Sequence, residues 1–139
     1  MPVRTKIEMN PALARRISGL DDLARIFFPD NRNHQRAFVA IWLEIKYADN
    51  QFLLSSTDIS SRYEISSRIL DIVRAKLKKL GIIKRISHFN PTYGYRSGWV
   101  FSSRCSSMLQ KMARMLRSYA TATRDSISEE KDRASLHYV

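Results

Sequence analysis

Cysteine is almost absent from this 139-residue chain. Cys105 is the only one, so no intrachain disulfide can form, which suits a reducing compartment. Its ordinary role would be a buried or interface position. His34, His88 and His137 stand far apart, without ligand-like spacing to one another or to Cys105, so no metal site is expected. Long apolar runs are missing too. The longest, AFVAIWL at Ala37 to Leu43, is far short of a bilayer span, and the N-terminal MPVRTKIEMNPALARR lacks the apolar core of a secretory signal. The expectation is a cytoplasmic chain with no membrane partner. There is no G-x-x-x-x-G-K loop, no G-x-S-x-G elbow, no paired carboxylates with an obvious cleft and no His and Cys cluster. Neither an enzyme nor a cofactor is expected.

Acidic residues are scarce as well, 13 against 24 basic ones, giving a formal charge of +11. The excess is uneven. Residues 65–104 hold nine basic residues and one acid, a net +8 of that total. Concentrated positive charge draws polyanions, with nucleic acid first among them.

The length suits one folded unit with tails. Asn10-Pro11 reads as a helix start, and Ser18 with Asp21 as a capping box for a second short helix over Leu20 to Phe28. Phe38, Ile41, Trp42 and Ile45 share one face of a longer helix from Arg32 to about Ala48. Phe52 to Leu54 form a short extended piece. Ser55 and Asp58 make another S-x-x-D start for a helix over Thr57 to Tyr63. A helix beginning near Ser66 or Ser67 runs to Leu80, where Gly81 stops it, with Leu70, Val73, Leu77 and Leu80 as its buried seam. The period then changes from helical to alternating. Ile82 to Phe89 and Trp99 to Ser102 read as two strands of an antiparallel hairpin joined by the loop of NPTYGYRSGW. A last helix, Arg104 to Tyr119, spaces Cys105, Leu109, Met112, Leu116 and Tyr119 in a heptad-like seam suited to a homodimer interface. The domains follow: an N-terminal helical extension (1–31), a central domain (32–103), the last helix (104–120) and a flexible polar tail (121–139). The expected class is mainly α with a small antiparallel β-hairpin, α+β.

Between residues 57 and 103, TDISSRYEISSRILDIVRAKLKKLGIIKRI followed by GYRSGWVFS resembles the winged helix-turn-helix superfamily of DNA-binding domains. The resemblance covers about a third of the chain, with Arg32 to Ala48 as the supporting first helix. Glu64 stands where that superfamily often has glycine, and Arg74 where an apolar residue is common. The resemblance implies a recognition helix ending at K-K-L-G and a wing formed by the hairpin.

A recognition helix enters the major groove by its N-terminal end, and Ser66, Ser67 and Arg68 supply polar groups there. Arg68 is suited to reading guanine bidentately. Asp71 is suited to accepting from cytosine or, more simply, to holding Arg68 or Arg74 in place. Lys76, Lys78, Lys79, Lys84 and Arg85 suit phosphate contacts. Trp99 reads as core, which leaves Tyr93, Tyr95 and Arg96 for the wing tip, with Arg96 in a minor groove or on its phosphates. The function expected is a sequence-specific regulator that binds double-stranded DNA as a homodimer. A plasmid or mobile-element replication or partition protein is one alternative, and a winged helix turned to protein or RNA contacts is another.

Overall fold

The computed structural model describes residues 2–122 and 125–139. Its contacts divide into two units, 1–105 and 106–139. The first contains α1 (Pro11–Ala14), α2 (Leu20–Phe27), α3 (Arg32–Lys46), β1 (Leu53–Leu54), α4 (Ile59–Tyr63), α5 (Ser67–Leu80), β2 (Ile83–Asn90) and β3 (Gly94–Phe101). The fold is α+β, mainly helical with one small antiparallel sheet. That sheet has three strands in the order β1-β3-β2, because the short extended piece pairs Leu53 with Trp99 and Leu54 with Gly98.

Polar side chains set most helix starts. Asn10 accepts from the Ala12 N–H at 2.8 Å, Asn31 from that of His34 at 3.0 Å, Asp58 from that of Ser61 at 3.0 Å, and Ser66 from that of Ile69 at 3.2 Å. Each satisfies a donor that the first helical turn leaves unpaired. Two starts differ in detail from the sequence expectation. At α2 it is Asp22, not Asp21, that accepts from the Ser18 N–H, at 3.0 Å. That bond, together with the Gly19 N–H and nearby Arg25, holds the Asp22 carboxyl below its usual range against the opposing effect of burial. At α4 Asp58 is itself the cap, so the helix begins at Ile59 and not at Thr57.

The core lies between α3 and α5 and extends onto the sheet. Phe38, Ile41 and Ile45 meet Ile59, Leu70, Val73, Leu77 and Ile83, all buried. The rings of Trp42 and Phe101, 4.7 Å apart, carry the packing to β3. Leu80 is only partly buried, and the seam of α5 contains a lysine instead. Lys76 is 7% exposed, and its Nζ donates to the main-chain oxygens of Lys6 and Phe27. It also lies 4.6 Å from the centre of the Phe28 ring. Burial pushes its pKa down. Lys76 is therefore unavailable for a phosphate contact and instead ties the N-terminal segment and the end of α2 to α5.

The turn between α4 and α5 occupies residues 64–66. Glu64 adopts the left-handed conformation there (φ 53, ψ 47) that glycine takes more readily, so the turn is made without glycine. Gly81, with φ 84, ends α5, and its N–H donates to the Leu77 and Lys78 carbonyls.

The hairpin is longer than its turn residues suggest. β2 and β3 pair without interruption from Ile83 with Phe101 to Asn90 with Gly94, which leaves residues 91–93 as the tip. Tyr95 and Arg96 therefore lie in a strand and not in a loop. Asn90 makes the tip compact by accepting from the Thr92 and Tyr93 N–H groups. Gly98 serves packing: a Cβ there would come within 2.5 Å of the Leu53 carbonyl oxygen and 2.6 Å of the Phe52 ring.

Helix α6 (Arg104–Ala120) begins at the boundary between the units, and the second unit also holds α7 (Ser126–Ala134). The expected flexible tail thus contains a helix. Asp125 caps it through the Ile127 N–H at 3.0 Å, and Glu129 pairs with Arg133 at 2.6 Å. Of the expected tail, Thr123 and Arg124 lie outside the described residues.

Candidate nucleic-acid interface

The 3.6-residue period of α5 sorts its side chains once Leu70, Val73 and Leu77 are inside. Arg68, Ile72 and Lys79 share the outward arc, and all three are exposed. Asp71, Arg74 and Lys78 lie on the flank that faces the sheet. Ser66 and Ser67 are exposed at the N-terminal end, where the Ser66 hydroxyl is already engaged as the cap.

Arg74 is the unusual member. Its side chain is 18% exposed, and Nη1 reaches the Asp71 carboxylate at 3.4 Å, a long contact to a group itself 77% exposed. The Arg74 Nε is buried with no hydrogen-bond partner. Burial lowers the pKa of this guanidinium, and Asp71 opposes that shift. Asp71 is the acidic neighbour of Arg74 in the structure.

Antiparallel pairing decides where the hairpin cations go. Directly paired residues share a face, and successive residues alternate between faces. Arg85 pairs with Trp99, while Lys84 pairs with Val100 and His88 with Arg96. Arg85 therefore stands on the face that carries Ile83, Trp99 and Phe101 toward the helices, and Lys84 and Arg96 stand on the other. Arg85 donates from Nη2 to the Ser97 Oγ at 3.1 Å, and the Ser97 and Ser55 hydroxyls lie 3.3 Å apart.

Helix flank and sheet face enclose a cleft of about 400 Å³, lined by Ser55, Asp71, Arg74, Ala75, Lys78, Arg85 and Trp99. Four of the residues singled out from the sequence, Asp71, Arg74, Lys78 and Arg85, meet there. Arg96 and Tyr93 do not. They form their own pair, with the Arg96 guanidinium 4.2 Å from the Tyr93 ring centre, and Arg96 lines a separate groove of about 1130 Å³ with Glu44, Tyr63 and His88. Tyr95 is exposed on the helix-facing side and lies against Phe89, ring centres 5.1 Å apart. Ser97 and Ile72 carry no signal of their own in the sequence, and Ser55, which reads as part of a helix start, instead faces Ser97. Helical spacing alone would have placed Ile72 on the outward arc with Arg68 and Lys79, whereas Ser55 reaches the cleft, and Ser97 its bond to Arg85, only through strand pairing.

On α6, Leu109, Met112, Leu116 and Tyr119 are exposed and are joined by Met108 and Met115 in one apolar stripe. Lys111, Arg114 and Arg117 fall outside that arc. Cys105 departs from the stripe. It packs against the core of the first unit, and burial raises its thiol pKa. Among the described residues no helix is long and apolar enough to cross a membrane. No protein-family model, curated protein or solved structure matches the chain.

Proposed function

We propose that this chain is a sequence-specific regulator of the winged helix-turn-helix type that binds double-stranded DNA. In this reading α5 is the recognition helix and the β2-β3 hairpin the wing. The observation that carries it is the convergence of Arg74, Lys78 and Arg85 in one cleft beside the outward arc of α5. Two consecutive elements, α5 and the hairpin, thereby offer one cationic surface, beside which Arg68 and Ile72 are exposed on the outward arc of the helix.

The chemistry divides by position. Arg68, near the N-terminal end of α5, reads a base edge, with guanine O6 and N7 as the natural acceptors, and Ser67 lies beside it. Ile72 has no polar atom beyond its main chain, so a thymine methyl is the contact it suits. Arg74, Lys78, Lys79 and Arg85 neutralise phosphates and fix register without reading sequence. Tyr93 and Arg96 at the wing, and Lys84 on its far face, reach the flanking backbone or minor groove. The stripe on α6 joins two copies, with its cations outside the contact, so that two recognition helices address two half-sites. Electrophoretic or fluorescence titration of duplex DNA over a range of salt tests the reading. Affinity should fall steeply as salt rises, and should exceed that for single strands of the same sequence.

A further inference from the structure

We infer that the cleft between α5 and the hairpin is an oxyanion site that takes a single phosphate group, with Arg74 as its central ligand. The donors there exceed the acceptors. A guanidinium carries five N–H donors, yet Arg74, 82% removed from solvent at its side chain, makes one long contact to Asp71, and its Nε has no acceptor. Lys78 and Arg85 line the same cleft, so three cations face one exposed carboxylate. Buried polar groups are ordinarily satisfied, and like charges gathered in a cleft repel. An oxyanion with several acceptor lone pairs offsets that repulsion and accepts from the Arg74 side chain where it lines the cleft, the Nε itself being shut off from solvent. Arg85 is prepositioned by its bond to the Ser97 hydroxyl, and Ser55 adds a second hydroxyl at the rim.

Phosphate fits this set better than carboxylate, because its tetrahedral oxygens can engage a guanidinium fork and two further cations at once. The group can come from a nucleic-acid backbone or from a free phosphorylated small molecule. In the backbone form the inference rests on the DNA reading proposed above, where it names the contact that sets the register of the hairpin against α5.

The test follows the arginine Nε–Hε resonances of the full chain by NMR. Sodium phosphate replaces sodium chloride at constant ionic strength in one arm, and a short DNA duplex is added in the other. Arg74→Lys identifies the Arg74 resonance by its loss. Phosphate is expected to move that resonance saturably, and Arg85→Ala and Lys78→Ala, both at exposed positions, to weaken the effect roughly tenfold each, as the loss of one charge-assisted hydrogen bond implies. Movement with duplex as well supports the backbone as the source. Movement with phosphate when the duplex does not bind supports a free phosphorylated ligand and sinks the DNA reading instead. A duplex that binds without moving the Arg74 resonance leaves the DNA reading standing and, where phosphate does move it, assigns the site to a free phosphorylated ligand. A resonance unmoved by either ligand overturns the site.

Discussion

Arg85 and Arg96 stand on opposite faces of one hairpin, Arg85 opposite Trp99 and Arg96 opposite His88. The first shares a cleft with Arg74 and Lys78, and the second stacks on Tyr93. Two arginines that read alike in sequence therefore have different neighbours. Residues that share a partner couple energetically, and residues without one add. Double-mutant cycles on duplex affinity at fixed salt should give Arg74→Ala and Arg85→Ala a coupling of about 0.5 kcal/mol or more, whereas Arg85→Ala and Arg96→Ala should add within about 0.5 kcal/mol. Equal coupling in both pairs would remove the distinction between the faces.

Lys76 is the only lysine of α5 turned inward, and its role is structural. Lys76→Met keeps the aliphatic packing but leaves the Lys6 and Phe27 carbonyls without their donor. The expected loss is about 1–3 kcal/mol in chemical denaturation, with the salt dependence of DNA binding unchanged. A shallower salt dependence at full stability would instead mark Lys76 as a phosphate contact.

Arg68 and Lys79 share the outward arc of α5 but differ in reach along the groove. Arg68→Ala should relax preference at one base position by about 1–3 kcal/mol. Lys79→Ala should weaken all duplexes alike and reduce the salt slope by roughly 1. Competition titrations with single-base variants measure both, and identical uniform losses would contradict this division of roles.

Much of this arrangement is legible in the sequence, for local reasons. The body of α3 follows from the spacing of Phe38, Ile41, Trp42 and Ile45, the start of α5 from Ser66 as its cap and its end from Gly81, since periodicity and capping are settled within a few residues. The length of the hairpin is not legible locally, because Gly94 and Gly98 resemble turn residues. Gly98 is instead required by the approach of Phe52 and Leu53, which no local pattern reveals. The same holds for Lys76, whose acceptors lie 70 and 49 residues away in the chain. The cleft at Arg74 depends on strand pairing that brings Ser55 and Arg85 beside α5. A charge count could find the basic segment but not the convergence.

The apolar stripe of α6 has an expected consequence for assembly. Sedimentation should show a dimer, and Met112→Glu, which places a charge at the middle of the stripe, should yield a folded monomer with weakened DNA binding. A wild-type chain that sediments only as a monomer would defeat the dimer proposal.

The most direct measurement is selection of bound sequences from a pool of random DNA duplexes, using the full chain. The account predicts an enriched motif with two inverted half-sites about one helical turn apart, 10–10.5 base pairs centre to centre. Recovery of a pool no different from the input, at a salt concentration where duplex DNA is bound, would contradict sequence-specific recognition by α5.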